Sequence, residues 1–305
     1  MDNAKEKVAI IILNWNAYEE TYECLCSLEK LKYKKFHVFL VDNASTDYSF
    51  DKLKMDGKKG KFKVAIDFIQ SGDNLGFAGG NNVAIRKAYN LGHSYFWMIN
   101  NDTVVDENSL TYLIDEFVHN NKTGIAGSKI LYYNSDIVWF AGGIVNTYLG
   151  KTKHIGFKMK DSALPNLKCE TGYVTGCSLF FRKEVIDSIG LMQEDYFLYY
   201  EETDWNLRAK NSGWKIVYVP QSRVYHKVST TTGSEKSTAP FVAYYDIRNA
   251  FLMIKRTQRN KIKVITAYVY KWYNTVKKTI KLVVYNQDQK KLRLRYIIKG
   301  LFDNT

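Results

Sequence analysis

Two carboxylates stand where an α/β sheet presents its ligand crevice. Asp42 closes the apolar run His37 to Asp42, and Asp102 follows the run Tyr95 to Ile99. Positions just past the carboxyl ends of parallel strands line that crevice, where carboxylates can hold a nucleoside's base or ribose and a metal ion. The chain has no P-loop, and Gly76-Phe77-Ala78-Gly79-Gly80 does not match GxGxxG. A nucleotide diphosphate would then be neutralised by an oxygen-ligated Mg²⁺ or Mn²⁺, for which Asp102 is a suitable ligand. Alone, an acid after a strand is more often a turn or cap residue. A lone histidine such as His226 is likewise more often a hydrogen-bonded structural residue than a ligand.

Periodicity predicts the elements that must position these groups. Val8 to Leu13, His37 to Asp42, Val64 to Gln70 and Tyr95 to Ile99 read as strands, with helices over Tyr18 to Leu31 and Ala78 to Leu91 between them. That alternation predicts an α/β fold with a mostly parallel central sheet flanked by helices. Leu110 to His119 reads as a further helix and Gly124 to Tyr133 as the next strand, while Val138 to Lys160 suits hairpins or a variable loop. Tyr173 to Arg182 is strand-like around Gly176, and the aromatic run Tyr196 to Tyr200 leads into the acids Glu201-Glu202-Thr203-Asp204. A helix from Asp204 to Asn211 stops at Gly213, a strand from Lys215 to Val219 ends at Pro220, and Ser229 to Ser237 reads as a mobile loop.

The composition, 305 residues with 46% apolar and 25% charged, excludes disorder across most of the chain. Four cysteines are too few for a disulfide scaffold, and Cys24 with Cys26 forms C-x-C rather than a metal-binding C-x-x-C. They are expected to be reduced, mostly buried thiols of a cytosolic protein. The first residues carry no signal-peptide pattern, and no stretch of 18 apolar residues predicts a membrane span. The charge is unevenly placed: Phe251 to Thr305 holds 14 Lys and Arg against two acids, whereas the first 250 residues hold 30 against 29. After helical spacing over Val242 to Arg256, Lys261 to Lys299 interleaves these cations with aromatic and aliphatic residues. Such a segment suits an anionic membrane surface or a nucleic acid; the plainer alternative is a solvated helical face packed on the body.

Taken together, VDNAST, NLGFAGGNN, Asn100-Asn101-Asp102-Thr103, TGCSLFFRKEV, FLYYEETDWNLRAKNSGW and VYH resemble the family 2 glycosyltransferases of GT-A fold. The likeness is strongest to the rhamnosyltransferase-type group of bacterial surface polysaccharide synthesis. It covers roughly residues 7 to 256 and includes Tyr244-Tyr245-Asp246-Ile247-Arg248-Asn249, similar to the YYxxRN element of those enzymes. The resemblance implies a GT-A catalytic domain over 1–240, with the nucleotide in about 1–103 and the acceptor in about 104–240, and a basic helical extension over 241–305. It places Asn100-Asn101-Asp102 at the D-x-D metal motif, with Asn in the first position; Asp102 and His226 would hold the cation, while Asn100 and Asn101 meet the nucleotide-sugar. Asn14 and Asp42 would contact base or ribose, and Asn74, Gly76, Phe77 and Gly80 would form the turn over the nucleotide. Gly143, Thr175, Gly176, Glu201 and Trp205 would line the acceptor or sugar pocket.

The same resemblance implies the chemistry. A sugar hydroxyl is too weak an acid to attack unaided, so a carboxylate must take its proton. Glu202 stands where the family shows Asp and is assigned as general base, with Asp204 as the alternative; Glu201 and Asp204 would otherwise cap the following helix. The reaction is a single inverting displacement from a nucleotide-sugar, dTDP-L-rhamnose being favoured over UDP-hexoses or UDP-galactofuranose. The acceptor is a glycan on a polyprenyl carrier, with the basic tail at the inner membrane face and no nucleic acid as partner. Three rivals stay open: a nucleotide-sugar nucleotidyltransferase, which would need a Gly-rich basic loop that Asn14 to Tyr18 lacks; a nucleic-acid binder using the tail; and an inactive transferase fold, suggested by Asn100 and Glu202.

Overall fold

The computed structural model describes residues 7–228, 233–234, 237–285 and 289–303. Apart from two short pairs at 233–234 and 237–238, the Ser229 to Ser237 loop expectation lies outside the described residues.

The first half is a parallel sheet. β1 (Val8–Asn14) pairs in parallel with β2 (Phe36–Asp42) and β4 (Tyr95–Asn100), and β2 with β3 (Ile66–Gln70). Val8 to Ile12 and Val38 to Val41 are fully enclosed, as strands covered on both faces must be. The covering helices are α1 (Tyr18–Leu28), α2 (Ser49–Lys58) and α3 (Gly76–Asn90). Apolar spacing missed α2, because it buries only Ser49, Leu53 and Asp56 and is tied down by polar contacts. Among these are Asp56 to the Tyr18 hydroxyl at 2.6 Å and to Lys61 at 2.8 Å.

Beyond β4 the sheet continues through β11 (Ser178–Arg182), antiparallel to both β4 and β6 (Thr123–Tyr132), to β12 (Lys215–His226), parallel to β6. Shorter strands complete this half: β5 (Thr103–Val105), β7 (Val138–Phe140), β10 (Cys169–Glu170), and the separate hairpin of β8 (Gly143–Asn146) and β9 (Lys151–His154). Helices α4 (Ser109–His119), α5 (Lys183–Ile189) and α6 (Glu201–Asn211) flank it. The strand expected to end at Pro220 instead runs on to His226, because its register against β6 shifts between Val219 and Arg223. A bulge accommodates a proline that cannot donate a ladder hydrogen bond. That continuation brings His226 opposite Thr103 on β5.

The basic extension packs on the body as α7 (Val242–Thr257), α8 (Lys261–Val284) and α9 (Lys290–Phe302). Leu252, Met253 and Ile254 of α7 share a core with Tyr196, Leu207 and Ala267, and Ile247 and Phe251 share another with Leu282 and Ile297. No described helix is long and apolar enough to cross a membrane. All four cysteines are free thiols; Cys24 and Cys177 are buried, whereas Cys169 is exposed, against the expectation of burial, on the two-residue strand β10.

Candidate active site

At the carboxyl ends of β1 and β2, Asn14 and Asp42 are both fully enclosed. The Asn14 amide donates to Asp42 Oδ1 at 2.8 Å and to Ser49 Oγ at 3.0 Å, and its carbonyl oxygen accepts from Thr21 at 2.8 Å. Asp42 Oδ2 accepts from the Ser45 backbone at 2.9 Å and from Gln70 at 3.0 Å. Asn101 joins the network by donating to Thr21 at 2.9 Å. Asn14 and Asp42 thus stand together at the strand ends, bonded to each other and to Ser49, Thr21, Ser45 and Gln70, and they brace the Asn43 to Ser45 turn at the crevice.

Asn43, to which the sequence assigned no role, organises the next turn. Its amide donates to Asn74 Oδ1 at 2.9 Å, and its carbonyl oxygen accepts from the Leu75 backbone at 3.0 Å. Gly76 follows with φ +69°, and a Cβ there would lie 2.3 Å from the Phe197 carbonyl oxygen. The backbone pressing on Gly76 is thus the loop before the acidic cluster, and Phe77 N–H donates to that same carbonyl at 2.8 Å. Gly80 lies against Leu13, Gly176 beneath the Phe77 ring, and Gly143 against the Tyr173 ring. Thr175 is buried in the turn before β11.

After β4, the Asn100 carbonyl accepts from Thr103 Oγ1 at 2.6 Å, and the Asp102 carbonyl accepts from Lys227 N–H at 3.0 Å. This second bond, with the pairing of β12 and β5, sets His226 Nε2 3.2 Å from Asp102 Oδ2. Burial alone would depress the His226 pKa, but Cys177 and Asp102 beside the ring outweigh it and raise it well above the ordinary value. A carboxylate oxygen and an imidazole nitrogen at this spacing suit a divalent cation whose remaining ligands are water and substrate oxygens. Among the described residues no group of three or more His, Cys, Asp or Glu could hold a metal ion.

The second half of the site is a cavity of about 490 Å³ lined by Glu202, Tyr173, Tyr199, Tyr200, His154, Asp246 and Lys278, among others. Two ring contacts connect it to the Asp102 and His226 pair. Trp139 stands 4.9 Å from the His226 ring and 4.7 Å from the His154 ring, centroid to centroid. Burial raises the Glu202 carboxyl above its ordinary pKa, while the first amides of α6 pull it down. Glu201 is 3% exposed, and burial and the charge of Glu202 push its pKa well up. Asp204 is enclosed and bound to Arg208 Nε at 2.8 Å.

Three expectations for this helix need correction. Neither Glu201 nor Asp204 caps it: α6 opens at Tyr200, in the left-handed region, without a side-chain cap. Glu201 is buried outside the cavity lining. Trp205 is a core residue rather than a pocket wall, fully enclosed, donating to the Gly190 carbonyl at 2.9 Å and edge-on to Phe181 at 4.7 Å. Sequence reasoning missed Tyr173, His154 and Lys278, whose positions carry no local motif; Tyr199, Tyr200 and Asp246 lay inside quoted motifs but were given no role.

The chain matches the family model of "Glycosyl transferase family 2" over residues 9–190. It is 22% identical over 275 residues to the "dTDP-rhamnosyl transferase RfbF" of Shigella flexneri, covering 87% of this chain and 86% of that one. It is 24% identical over 234 residues to the "Poly-beta-1,6-N-acetyl-D-glucosamine synthase" of Staphylococcus aureus, covering 75% of this chain and about half, 52%, of the relative. Among solved structures, the mannosyltransferase PcManGT from Pyrobaculum calidifontis, in complex with GDP-Man and Mn²⁺, aligns with a TM-score of 0.60 at 12% identity. That alignment covers 99% of this chain and 88% of the other. S. aureus TarS 1–349 in complex with UDP-GlcNAc aligns with a TM-score of 0.61 at 14% identity, covering 97% and 81%. With the family match spanning more than half its residues and the GT-A architecture shared with these structures, the chain belongs to glycosyl transferase family 2 and is a glycosyltransferase.

Proposed function

We propose that this enzyme moves a sugar from a nucleotide-sugar to a hydroxyl of a growing, lipid-linked polysaccharide, in one inverting displacement, with rhamnose from dTDP-L-rhamnose as the favoured donor. The observation that carries the reading is the cavity: of the acids Glu201, Glu202 and Asp204, Glu202 alone lines it, while Asp204 is held by Arg208. Glu202 takes the proton of the acceptor hydroxyl as the new bond forms to the anomeric carbon, whose bond to the diphosphate oxygen breaks. Its raised pKa makes it a stronger base than an ordinary carboxylate. The rings of Tyr173, Tyr199 and Tyr200 exclude water and stack against the acceptor sugar.

Asp102 and His226 are the residues that would hold Mg²⁺ or Mn²⁺. A bound cation would offset the charge gathering on the departing nucleotide diphosphate. Residues 1–103 take the donor, 104–240 the acceptor, and 241–305 hold the enzyme to the anionic inner face of the cell membrane. The relation to the Shigella dTDP-rhamnosyl transferase supports the choice of donor.

Mass-spectrometric detection of donor hydrolysis across dTDP-rhamnose, UDP-hexoses, UDP-galactofuranose and GDP-mannose tests the donor without needing the acceptor. Glu202→Gln is expected to abolish most transfer while donor binding stays near the parent's; full transfer in that variant refutes the base assignment. EDTA should suppress turnover and Mn²⁺ or Mg²⁺ restore it, and indifference to chelation removes Asp102 and His226 from the metal role.

A further inference from the structure

Helix α8 has two faces of opposite purpose. Its inner row is built into the protein: Ala267, Thr275 and Leu282 are buried, Lys271 Nζ donates to the Tyr200 hydroxyl at 3.2 Å, and Lys278 pairs with Asp246 at 2.8 Å. Tyr200, Asp246 and Lys278 line the cavity that holds Glu202. On the opposite side Ile262, Ile265, Val269, Val276, Ile280 and Val283 are each between 49% and 68% exposed. Their steps of three, four and seven residues keep them in one stripe at 3.6 residues per turn. The helix is 24 residues long, about 36 Å, and the stripe runs along nearly all of it.

A contiguous apolar stripe of this length on a soluble surface marks an interaction site. Its surroundings select the partner. Helix α8 contains no Asp or Glu, and Lys261, Lys277 and Lys281 stand exposed along the stripe. Apolar residues beside exposed cations fit the headgroup and acyl boundary of an anionic bilayer. A second copy of the helix fits worse, since it would set two cationic borders against each other with no acid on either helix to offset them.

We infer that the outer face of α8 lies flat in an anionic lipid surface, and that the helix is the spacer between that surface and the catalytic cavity. This rests on the membrane reading given above and sharpens it. The cavity residues touch the inner face of α8, so they sit about one helix diameter, 10–12 Å, from the lipid. The acceptor hydroxyl is therefore presented close to the membrane plane, as on a lipid-borne glycan early in its growth, rather than on a chain end far out in solution.

Flotation of the full chain with phosphatidylcholine vesicles, with and without phosphatidylglycerol, tests this. The parent should float with the anionic vesicles and lose most of that binding at high salt. A Val269→Glu, Val276→Glu double variant should lose at least tenfold in recovery, and Lys277→Glu with Lys281→Glu several-fold. Donor hydrolysis in solution should stay at the parent's level in both, because none of these side chains lines the cavity. If the parent floats and the valine variant floats equally, the α8 face is wrong while the membrane reading stands. If the parent fails to float at all, both fall. A parent that is dimeric in sedimentation and becomes monomeric with Val269→Glu, Val276→Glu assigns the face to a second copy and overturns the proposal.

Discussion

Replacing Asn249 with Ala should cost both stability and turnover. Asn249 is fully enclosed on α7, and its amide donates to the carbonyls of Tyr196 at 2.8 Å, Leu198 at 2.7 Å and Tyr199 at 3.1 Å. The loop it grips is strained: Phe197, Tyr199 and Tyr200 have φ of +62°, +67° and +74°, at about 1–2 kcal/mol each for residues with a Cβ. Asn249→Ala strands buried carbonyls at about 1–3 kcal/mol apiece. Two N–H groups serve three acceptors, so the loss should be about 2–6 kcal/mol, unless the loop relaxes out of its left-handed turns. Relaxation would displace Glu202, which follows the loop by two residues, and a misplacement of an ångström in a catalytic group costs on the order of a hundredfold in rate. Urea unfolding and kcat, read with donor KM, are the measurements. Asn249→Asp is the sharper test, since it keeps the volume but turns a carboxylate toward three carbonyl oxygens; it should be worse than Ala. An Asn249→Asp enzyme as stable and active as the parent refutes the reasoning.

Because burial raises the Glu202 carboxyl above its ordinary 4.5, the acid limb of the kcat profile should have its midpoint above pH 4.5, with activity lost as pH falls through that raised value. A midpoint at or below 4.5 counts against Glu202 as the base. Asp161→Ala should destabilise the fold by about 3–5 kcal/mol in urea unfolding, because it leaves Lys129, whose side chain is 1% exposed, without its carboxylate at 2.7 Å. Burial pushes the Asp161 carboxyl up, but Lys129 and Arg223 outweigh it and hold it below 3.8. Its stabilisation is complete above pH 3.8 and is lost as pH falls through the depressed value, so the variant's stability should vary less with pH there. Gly76→Ala should cost about 2 kcal/mol or more, since a Cβ would meet the Phe197 carbonyl at 2.3 Å from a backbone at φ +69°. A melting temperature equal to the parent's would show that the loop yields freely.

The parallel half of the fold was legible because its strands are unbroken apolar runs, Val8 to Ile12 and Val38 to Val41, separated by helices of ordinary length. The residues ending those strands were legible too, since local order places them at the crevice whatever the packing. The chain order alone could not extend β12 past Pro220, because a bulge depends on the partner strand β6. Nor could it separate Glu202 from Asp204. On a helix turning about 100° per residue the two side chains point to nearly opposite sides, and which side meets the cavity depends on how α6 packs. Trp205 shows the same limit, going to the core because Phe181 stands against its ring. Composition alone marked the extension as basic and aromatic. Only the packing of α8 on α7 and α9 divided it into a row of lysines at the cavity and an apolar stripe facing away, because a helix face acquires a role from what its neighbours leave uncovered.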